Sequence, residues 1–348
     1  MEEINVKLII ERIDSVIEEM MDELIALSPE EARELMHDVK EFVLRPGKRI
    51  RPLLLVLSYK GFGGRNCDDA IALGSAIEIM HAFLLIHDDI VDESELRRGE
   101  PTLHKIYKRV YNSEKLGKDL ALTVGDIVAF YVIRIIGRLH VEADVLRRII
   151  ETFSNCYVKT GYGQVLDILY SSNIDENVLK QDIPQKICLL KTAYYTFVYP
   201  MLFGYVLSGK GRNIVEEERI ASIGEKIGVA FQYRDDLLGA FGGESKSAND
   251  IVEGKYTMLV KKAVDSLELS RPSERRKLVE TLNKMEKTQE DIAYVREILL
   301  NSGAVDWIKE QISELVNEGM KKLDEIDMLS NYKGEVKRLF GEILKFPI

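Results

Sequence analysis

Residues 69–92 read "DAIALGSAIEIMHAFLLIHDDIVD". Nearly every position before Asp88 is apolar, with Glu78 and His81 as the polar interruptions. A helix that is apolar on every side is a buried one, so this stretch predicts the central helix of an all-α protein. It ends abruptly in three aspartates, Asp88, Asp89 and Asp92, and Arg97 and Arg98 follow in "ESELRRGEPTLH" (93–104). On a helix, positions i and i+4 share a face, so Asp88 and Asp92 project side by side and Asp89 stands about 100° round. Clustered carboxylates repel one another unless a cation lies between them. Oxygen donors with no cysteine or paired histidine suit Mg²⁺, which usually completes its shell with water and phosphate.

Working outward, the pattern stays helical. Only 8 prolines occur, and none lies between Pro101 and Pro184. "SPEEARELMHDVKEFVL" opens with Ser28 as an expected N-cap, Pro29 at the first helical position and Glu31 three residues on, a capping-box arrangement. A helix is expected to end near Gly303 and an amphipathic one to follow, carrying Trp307, Ile308, Ile312, Leu315 and Val316. Convincing period-2 strands are missing. "YYTFVY" (194–199) is rich in strand formers, but its flanks are helical and it reads as buried helix. "GAFGGESKSAND" (239–250) is the most loop-like stretch and is too short to separate domains. The expectation is one all-α domain over residues 1–348, a helical bundle around a cavity.

Composition narrows the function. The 348 residues are 46% hydrophobic and 30% charged, as in folded soluble chains. A net charge of −10 argues against nucleic acid as a partner. Any anionic ligand needs a local basic cluster or metal ions. Cys67, Cys156 and Cys188 are too scattered for a disulfide framework or CxxC site and fit buried thiols in a reducing cytoplasm. "MEEINVKLIIERID" lacks the character of a signal peptide. No unbroken apolar run reaches the ~18–20 residues of a membrane span, so no transmembrane segment is expected.

A second acidic pair, Asp235 and Asp236, lies in "FQYRDDLLGAFG" beside Phe231, Leu237 and Leu238, with Gln232 one turn earlier. Two such pairs facing each other across a bundle would cage several Mg²⁺ ions around a polyanion such as diphosphate. The basic residues fit that guest. "PGKRIRP" (46–52) supplies Lys48, Arg49 and Arg51, and Lys191, Lys246 and Lys255 add further cations. Arginine forks suit phosphate oxygens and lysines add point charge. Alone, "GKRIRP" reads equally well as a helix start with solvated cations, and His81, His87 and His104 as packing or surface residues.

Together, "GKRIRP", "HDDIVDESELRRGEPTLH", "GQVLDI", "KTAYY", "FQYRDDLLG" and "EGKYT" occur in an order that resembles the trans-polyprenyl (isoprenyl) diphosphate synthases, with the archaeal-type geranylgeranyl diphosphate synthases nearest in pattern. The match runs from about residue 40 to 260, and "SGAVDWIKEQ" fits the family's C-terminal helices. The resemblance implies an all-α isoprenoid-synthase bundle, usually a homodimer. It implies Mg²⁺-dependent head-to-tail condensation of isopentenyl diphosphate with an allylic diphosphate, using two or three ions. Asp88, Asp92 and Asp235 would be metal ligands, with Asp89 and Asp236 beside them. Lys48, Arg51, His81 and Arg98 match positions that hold isopentenyl diphosphate, and Arg49 shares their cluster. Arg97, Lys191, Thr192, Gln232, Lys246 and Lys255 match positions around the allylic diphosphate. Gln164 and Asp167 match a mid-chain element near the metals. Catalysis would fall to Asp88, Asp89, Asp92, Arg97, Lys191, Asp235 and Asp236.

The chain departs from the pattern in one place that matters. The fifth position of the second motif is Gly239 rather than aspartate, so that carboxylate's share must pass to Asp235, Asp236 or water. The loop before Asn249 lacks the usual GKP, which weakens the transfer to Lys246. For product length, Phe83 stands five residues before Asp88, about 7.5 Å down the helix at 1.5 Å per residue. Leu84 stands four before, and Met80 and Ile79 form the next layer. In the family, large residues there floor the cavity. An aromatic at Phe83 with none at Leu84 points to a C20 product, with C15 or C25 as alternatives. A class I terpene cyclase has no use for Lys48, Arg51 and His81, and a weak regulatory subunit usually lacks one aspartate cluster.

Overall fold

The structure, a computed structural model, describes residues 4–171, 174–242 and 249–345. Helix α1, Val6–Leu27, begins where the Asn5 side chain accepts a hydrogen bond from the Leu8 N–H (3.0 Å). It ends at Ser28, whose hydroxyl donates to the Ile25 carbonyl (2.6 Å). Ser28 therefore closes a helix instead of opening one. A single 3₁₀ turn, Glu30–Ala32, intervenes before α2, Arg33–Leu44, so the expected capping box is absent. The long run of α1 claimed Ser28 first.

Next come α3, Ile50–Gly61, and α4, Asp68–Val91. Ile71, Leu73, Ile77, Ile79, Met80 and Ile86 of α4 are at most 3% exposed, and each contributes about 1.5–3 kcal/mol by leaving water. By length and composition alone α4 is long and apolar enough to cross a membrane, although none of its unbroken apolar runs is that long. Glu78 and His81 break the run without making the helix polar. In this protein 72% of its apolar window is buried, packed against α1 and α3.

After α4 the chain forms a small ribbon that the sequence reading missed. Strands β1, Leu96–Arg97, and β2, Glu100–Pro101, pair antiparallel. The turn between them is Arg98–Gly99, with φ of +55° and +85°, the two positive values of a type I′ hairpin. Helices α5, Leu103–Tyr111, and α6, Glu114–Ile136, follow, α6 packing on α4 and α5.

The remaining elements are α7, Ala143–Tyr170; the short α8, Glu176–Leu179, and α9, Ile183–Ile187; a π-helix, Cys188–Val198; α10, Tyr199–Leu207; and α11, Ile214–Phe241. Then come α12, Asp250–Glu253; α13, Met258–Leu267; α14, Pro272–Leu282; α15, Gln289–Asn301; α16, Ala304–Glu325; and α17, Ser330–Ile343. Gly303, at φ +76°, separates α15 from α16 as expected. "YYTFVY" is helical, but most of it lies in the π-helix. Pro200 follows directly, and a proline ring clashes with the carbonyl four residues back in an α-helix. A wider turn at that point relieves the clash.

Two compact units emerge. One comprises Met1–Glu151, Phe203–Gly211 and Met328–Glu335, and is organised on α4. The other comprises Thr152–Leu202, Arg212–Asp327 and Val336–Ile348. In the second, α11 packs against the π-helix and α16, and Gly224 and Gly228 allow it to approach the π-helix backbone closely.

Candidate active site

In the first unit the three aspartates sit in the last turn of α4. Asp92 is the C-cap, its N–H donating to the Asp88 carbonyl (2.8 Å). No basic residue lies in that turn. Carboxylates at the negative end of a helix dipole are unfavourable, and a nearby cation would offset that cost. Asp88 and Asp92 remain half-exposed, whereas Asp89 is 1% exposed. The Arg97 guanidinium donates to Asp89 Oδ1 through Nε (2.9 Å) and through its Nη2, which also stands 3.7 Å from Asp88 Oδ2. Burial pushes the Asp89 carboxyl up to about 6, against the pull of Arg97. Asp89 and Arg97 thus form a largely buried pair that braces the hairpin against α4, and Asp88 and Asp92 stay half-exposed.

The basic residues gather around His81. This imidazole is 8% exposed. Its pKa is held well below the ordinary histidine value, first by burial and then by Arg51, Arg98, Arg97 and Arg49. It is neutral at physiological pH and can donate one N–H to an anion without adding positive charge. Arg98 donates from Nη1 to the Arg45 carbonyl (2.8 Å) and lies flat on Gly47. Burial lowers its pKa, Glu78 opposes this, and the neighbouring arginines reinforce it. Arg51 is half-buried beside the same cluster, and Lys48 is exposed.

Arg49 is placed differently from its expected part in diphosphate binding. It is 4% exposed and adopts φ +47° at the N-cap of α3. Its guanidinium donates to Asp14 (2.7 Å), to the buried Glu78 (3.1 Å) and to the Val43 and Leu44 carbonyls. Those bonds tie α3 to α1 and α4, and explain why a core helix carries Glu78. Arg45, which sequence reasoning passed over, has a related task. Buried at 4%, it binds Glu41 and the carbonyls of Arg97 (3.2 Å) and Pro101 (3.0 Å), anchoring both strands of the hairpin. Its place just before "PGKR" was the available signal. Non-glycine residues at positive φ include Arg49, Glu93 and Arg98, and such strain tends to collect at functional sites.

Below the charges, α4 turns from buried to half-buried at Phe83, Leu84 and Leu85. These give an accessible apolar wall directly beneath a charged rim. Met80 is 2% exposed and lies in the core below them.

In the second unit, Lys191 and Thr192 belong to the π-helix, a geometry often found at functional sites. Lys191 Nζ lies 2.5 Å from Asp167 Oδ2 on α7, where Gln164 is half-buried. The Thr192 hydroxyl donates to Gln232 Oε1 (2.5 Å), and Gln232 Nε2 donates to Asp236 Oδ1 (2.8 Å). Asp236 is 3% exposed and Asp235 half-buried. A small cavity is lined by Asp236, Asp250, Lys255 and Thr257; Lys255 Nζ is 2.7 Å from Glu253. Gly239 faces the Asp250 carboxylate, which fills the room a side chain there would need. Asp250 was not singled out from the sequence, although the glycine at the fifth motif position was the clue. Lys246 lies outside the described residues.

Among the described residues, no three His, Cys, Asp or Glu side chains converge to hold a metal by themselves. The donors come in ones and twos, all hard oxygens. Mg²⁺ is usually bound that way, with substrate phosphate completing the shell.

The polyprenyl synthetase family model matches residues 33–299. The chain belongs to that family. It is a trans-prenyl diphosphate synthase, a prenyltransferase. It is 30% identical over 313 residues to the geranylfarnesyl diphosphate synthase of Aeropyrum pernix, covering 87% of this chain and 90% of that protein. It is 27% identical over 302 residues to the geranylgeranyl diphosphate synthase of Sulfolobus acidocaldarius, covering 85% and 86%. Among solved structures, this prenyltransferase superposes with a TM-score of 0.88 and 26% identity on the geranylgeranyl pyrophosphate synthase from Corynebacterium glutamicum complexed with isoprenyl diphosphate and magnesium, covering 98% of this chain and 99% of that one.

Proposed function

We propose that the enzyme condenses isopentenyl diphosphate with an allylic diphosphate in a Mg²⁺-dependent reaction and releases a C20 product. The observation that carries this reading lies within the first unit. Asp88 and Asp92 end the helix whose half-buried residues Phe83 and Leu84 lie just over one turn below Asp88, and Arg51, Arg97 and Arg98 lie near the neutral His81 of the same helix. A charged rim over an apolar wall matches a substrate with an anionic head and a hydrocarbon tail.

Asp88 and Asp92 would hold Mg²⁺, as would Asp235 in the second unit, and bound Mg²⁺ would neutralise charge developing on the departing diphosphate. Lys48, Arg51, His81 and Arg98 would bind isopentenyl diphosphate. Arg97 would act mainly by fixing Asp89 and the hairpin. Lys191 and Lys255 would meet the allylic diphosphate, with Thr192 and Gln232 orienting Asp236. Asp250 would take the share of the carboxylate missing at position 239. The double bond of isopentenyl diphosphate then attacks the allylic cation, and a proton leaves to the released diphosphate. Apolar surroundings at Phe83 and Leu84 would keep water from the cation.

Several finer points belong to the same reading. Phe83 as the floor supports C20, and relatives named as geranylgeranyl diphosphate synthases support it further. An exposed apolar stripe on α6 – Leu116, Leu122, Ile127, Phe130 and Ile133 – supports a homodimer. Each compact unit is assembled from segments distant in sequence, which supports one working domain. Three free thiols support a cytoplasmic location.

The test is product analysis with isopentenyl diphosphate and primers of five, ten and fifteen carbons, with Mg²⁺ and with chelator. C20 diphosphate formed only with Mg²⁺ is expected. A predominant C15 or C25 product would overturn the chain length, and a cyclised hydrocarbon made without isopentenyl diphosphate would overturn the reaction.

A further inference from the structure

We propose that His87 is a positioning residue for product length: it holds Phe83 in the orientation from which Phe83 stops the growing chain. The inference rests on the reading of Phe83 as the floor and extends it to a residue with no assigned part.

Phe83 and His87 lie one turn apart on α4, on one face. Their ring centroids are 4.4 Å apart with planes tilted by 59°. The far side of the imidazole is fixed to α6. Nε2 lies 3.2 Å from the Leu122 carbonyl oxygen and 3.6 Å from Asp126 Oδ1. A carbonyl only accepts, so Nε2 carries the proton and donates. The ring fits there because position 125 is glycine. A Cβ on Gly125 would stand 2.6 Å from Nε2 and 2.8 Å from Cδ2, closer than non-bonded atoms approach. His87 is therefore seated in a notch of α6, held by a backbone atom that no rotamer change can move.

The consequence is directional. Phe83 is half-buried, and against His87 it meets a ring that cannot retreat toward α6. Phe83 supplies the bulk of the floor, and His87 with Gly125 supplies its rigidity. The two contributions separate in mutants. Removing the bulk lengthens the product, and removing the support lets the floor yield part of the time, giving a mixture.

The experiment compares product distributions from isopentenyl diphosphate and a fifteen-carbon allylic primer for the full-length enzyme and four variants, with thermal midpoints recorded alongside. Phe83→Ala is expected to shift the main product beyond C20. His87→Ala and Gly125→Ala are expected to raise the ratio of longer products to C20 several-fold, whatever their total activity. The double variant Phe83→Ala/His87→Ala should match Phe83→Ala alone, because His87 acts through Phe83. If Phe83→Ala lengthens the product while His87→Ala and Gly125→Ala leave the ratio unchanged, the role of His87 is overturned and the floor stands. If Phe83→Ala changes nothing, the floor reading fails and takes this inference with it. Additive shifts in the double variant would also overturn it. Should His87→Ala fail to fold, Gly125→Ala still decides, since it displaces the ring without removing it.

Discussion

The carboxylate of Asp250 occupies the space that a side chain on Gly239 would need. An acid from the segment after the loop thus stands against the position where the second aspartate motif carries glycine. Restoring an aspartate at 239 should therefore harm the enzyme. Gly239→Asp is expected to lower the thermal midpoint, by a cost of about 1–3 kcal/mol for overpacking, and to reduce turnover. Combining it with Asp250→Gly should recover part of both losses. A Gly239→Asp enzyme with full turnover and an unshifted midpoint would refute this. The Mg²⁺- and diphosphate-induced midpoint shift gives a readout independent of turnover.

Asp88 and Asp89 are neighbours with different tasks. Asp88→Asn removes a charge that the helix dipole disfavours but that also lies 3.7 Å from Arg97, so the stability of the metal-free enzyme should change by no more than about 1 kcal/mol. Turnover should fall at least about a hundredfold through lost transition-state stabilisation. Asp89→Ala strands Arg97 in a mostly buried pair, and should destabilise by about 3 kcal/mol. Denaturant melts and steady-state rates on the two variants check this; equal stability losses would remove the distinction.

His104 is 1% exposed, and neither ring nitrogen has a hydrogen-bond partner within the protein. Burial first, then Lys105 and Lys118, push its pKa down to about 4, with Glu114 and Glu95 opposing. The folded value lies below the unfolded one of about 6.5. Between those values the unfolded chain binds the extra proton, so this residue's contribution to stability falls as pH drops from about 6.5 to about 4. His81 acts in the same sense. Asp89, raised to about 6, acts in the opposite sense. The difference between wild type and His104→Leu isolates one group. The variant should show a flatter pH dependence in that window and no loss of stability at pH 7.5, since an unpaired buried polar group costs about 1–3 kcal/mol. Parallel pH curves for the two proteins would contradict it.

Phe130 on α6 is 73% exposed, and Ile133, one turn segment away, is 54% exposed. If a second copy covers this face, Phe130→Glu should convert a dimer to a monomer. Light scattering on the eluting peak reads the mass directly. A monomeric wild type, or a variant still dimeric at the same concentration, would count against the homodimer.

Much of this was legible in the chain itself. The apolar run before Asp88 required a buried helix, and α4 is that helix. The order of acidic and basic motifs marked the family and the residues to watch. Period and composition suffice for that because burial follows hydrophobicity and helical faces follow spacing. What they leave open is which acceptor each polar atom meets. Arg49 and Arg51 look alike in "GKRIRP", yet Arg49 is held in the core by Glu78 and Asp14, whereas Arg51 lies beside His81. Ser28 looked like a start and is a stop. The hairpin at Arg98–Gly99 needed two positive φ values that no alternating pattern announces. Asp250 beside Gly239, and His87 in the notch at Gly125, join residues distant in sequence. Local sequence determined the helices and the kinds of charge at their ends. Long-range packing alone decided which charges are bound to each other, because those partners lie far apart in sequence.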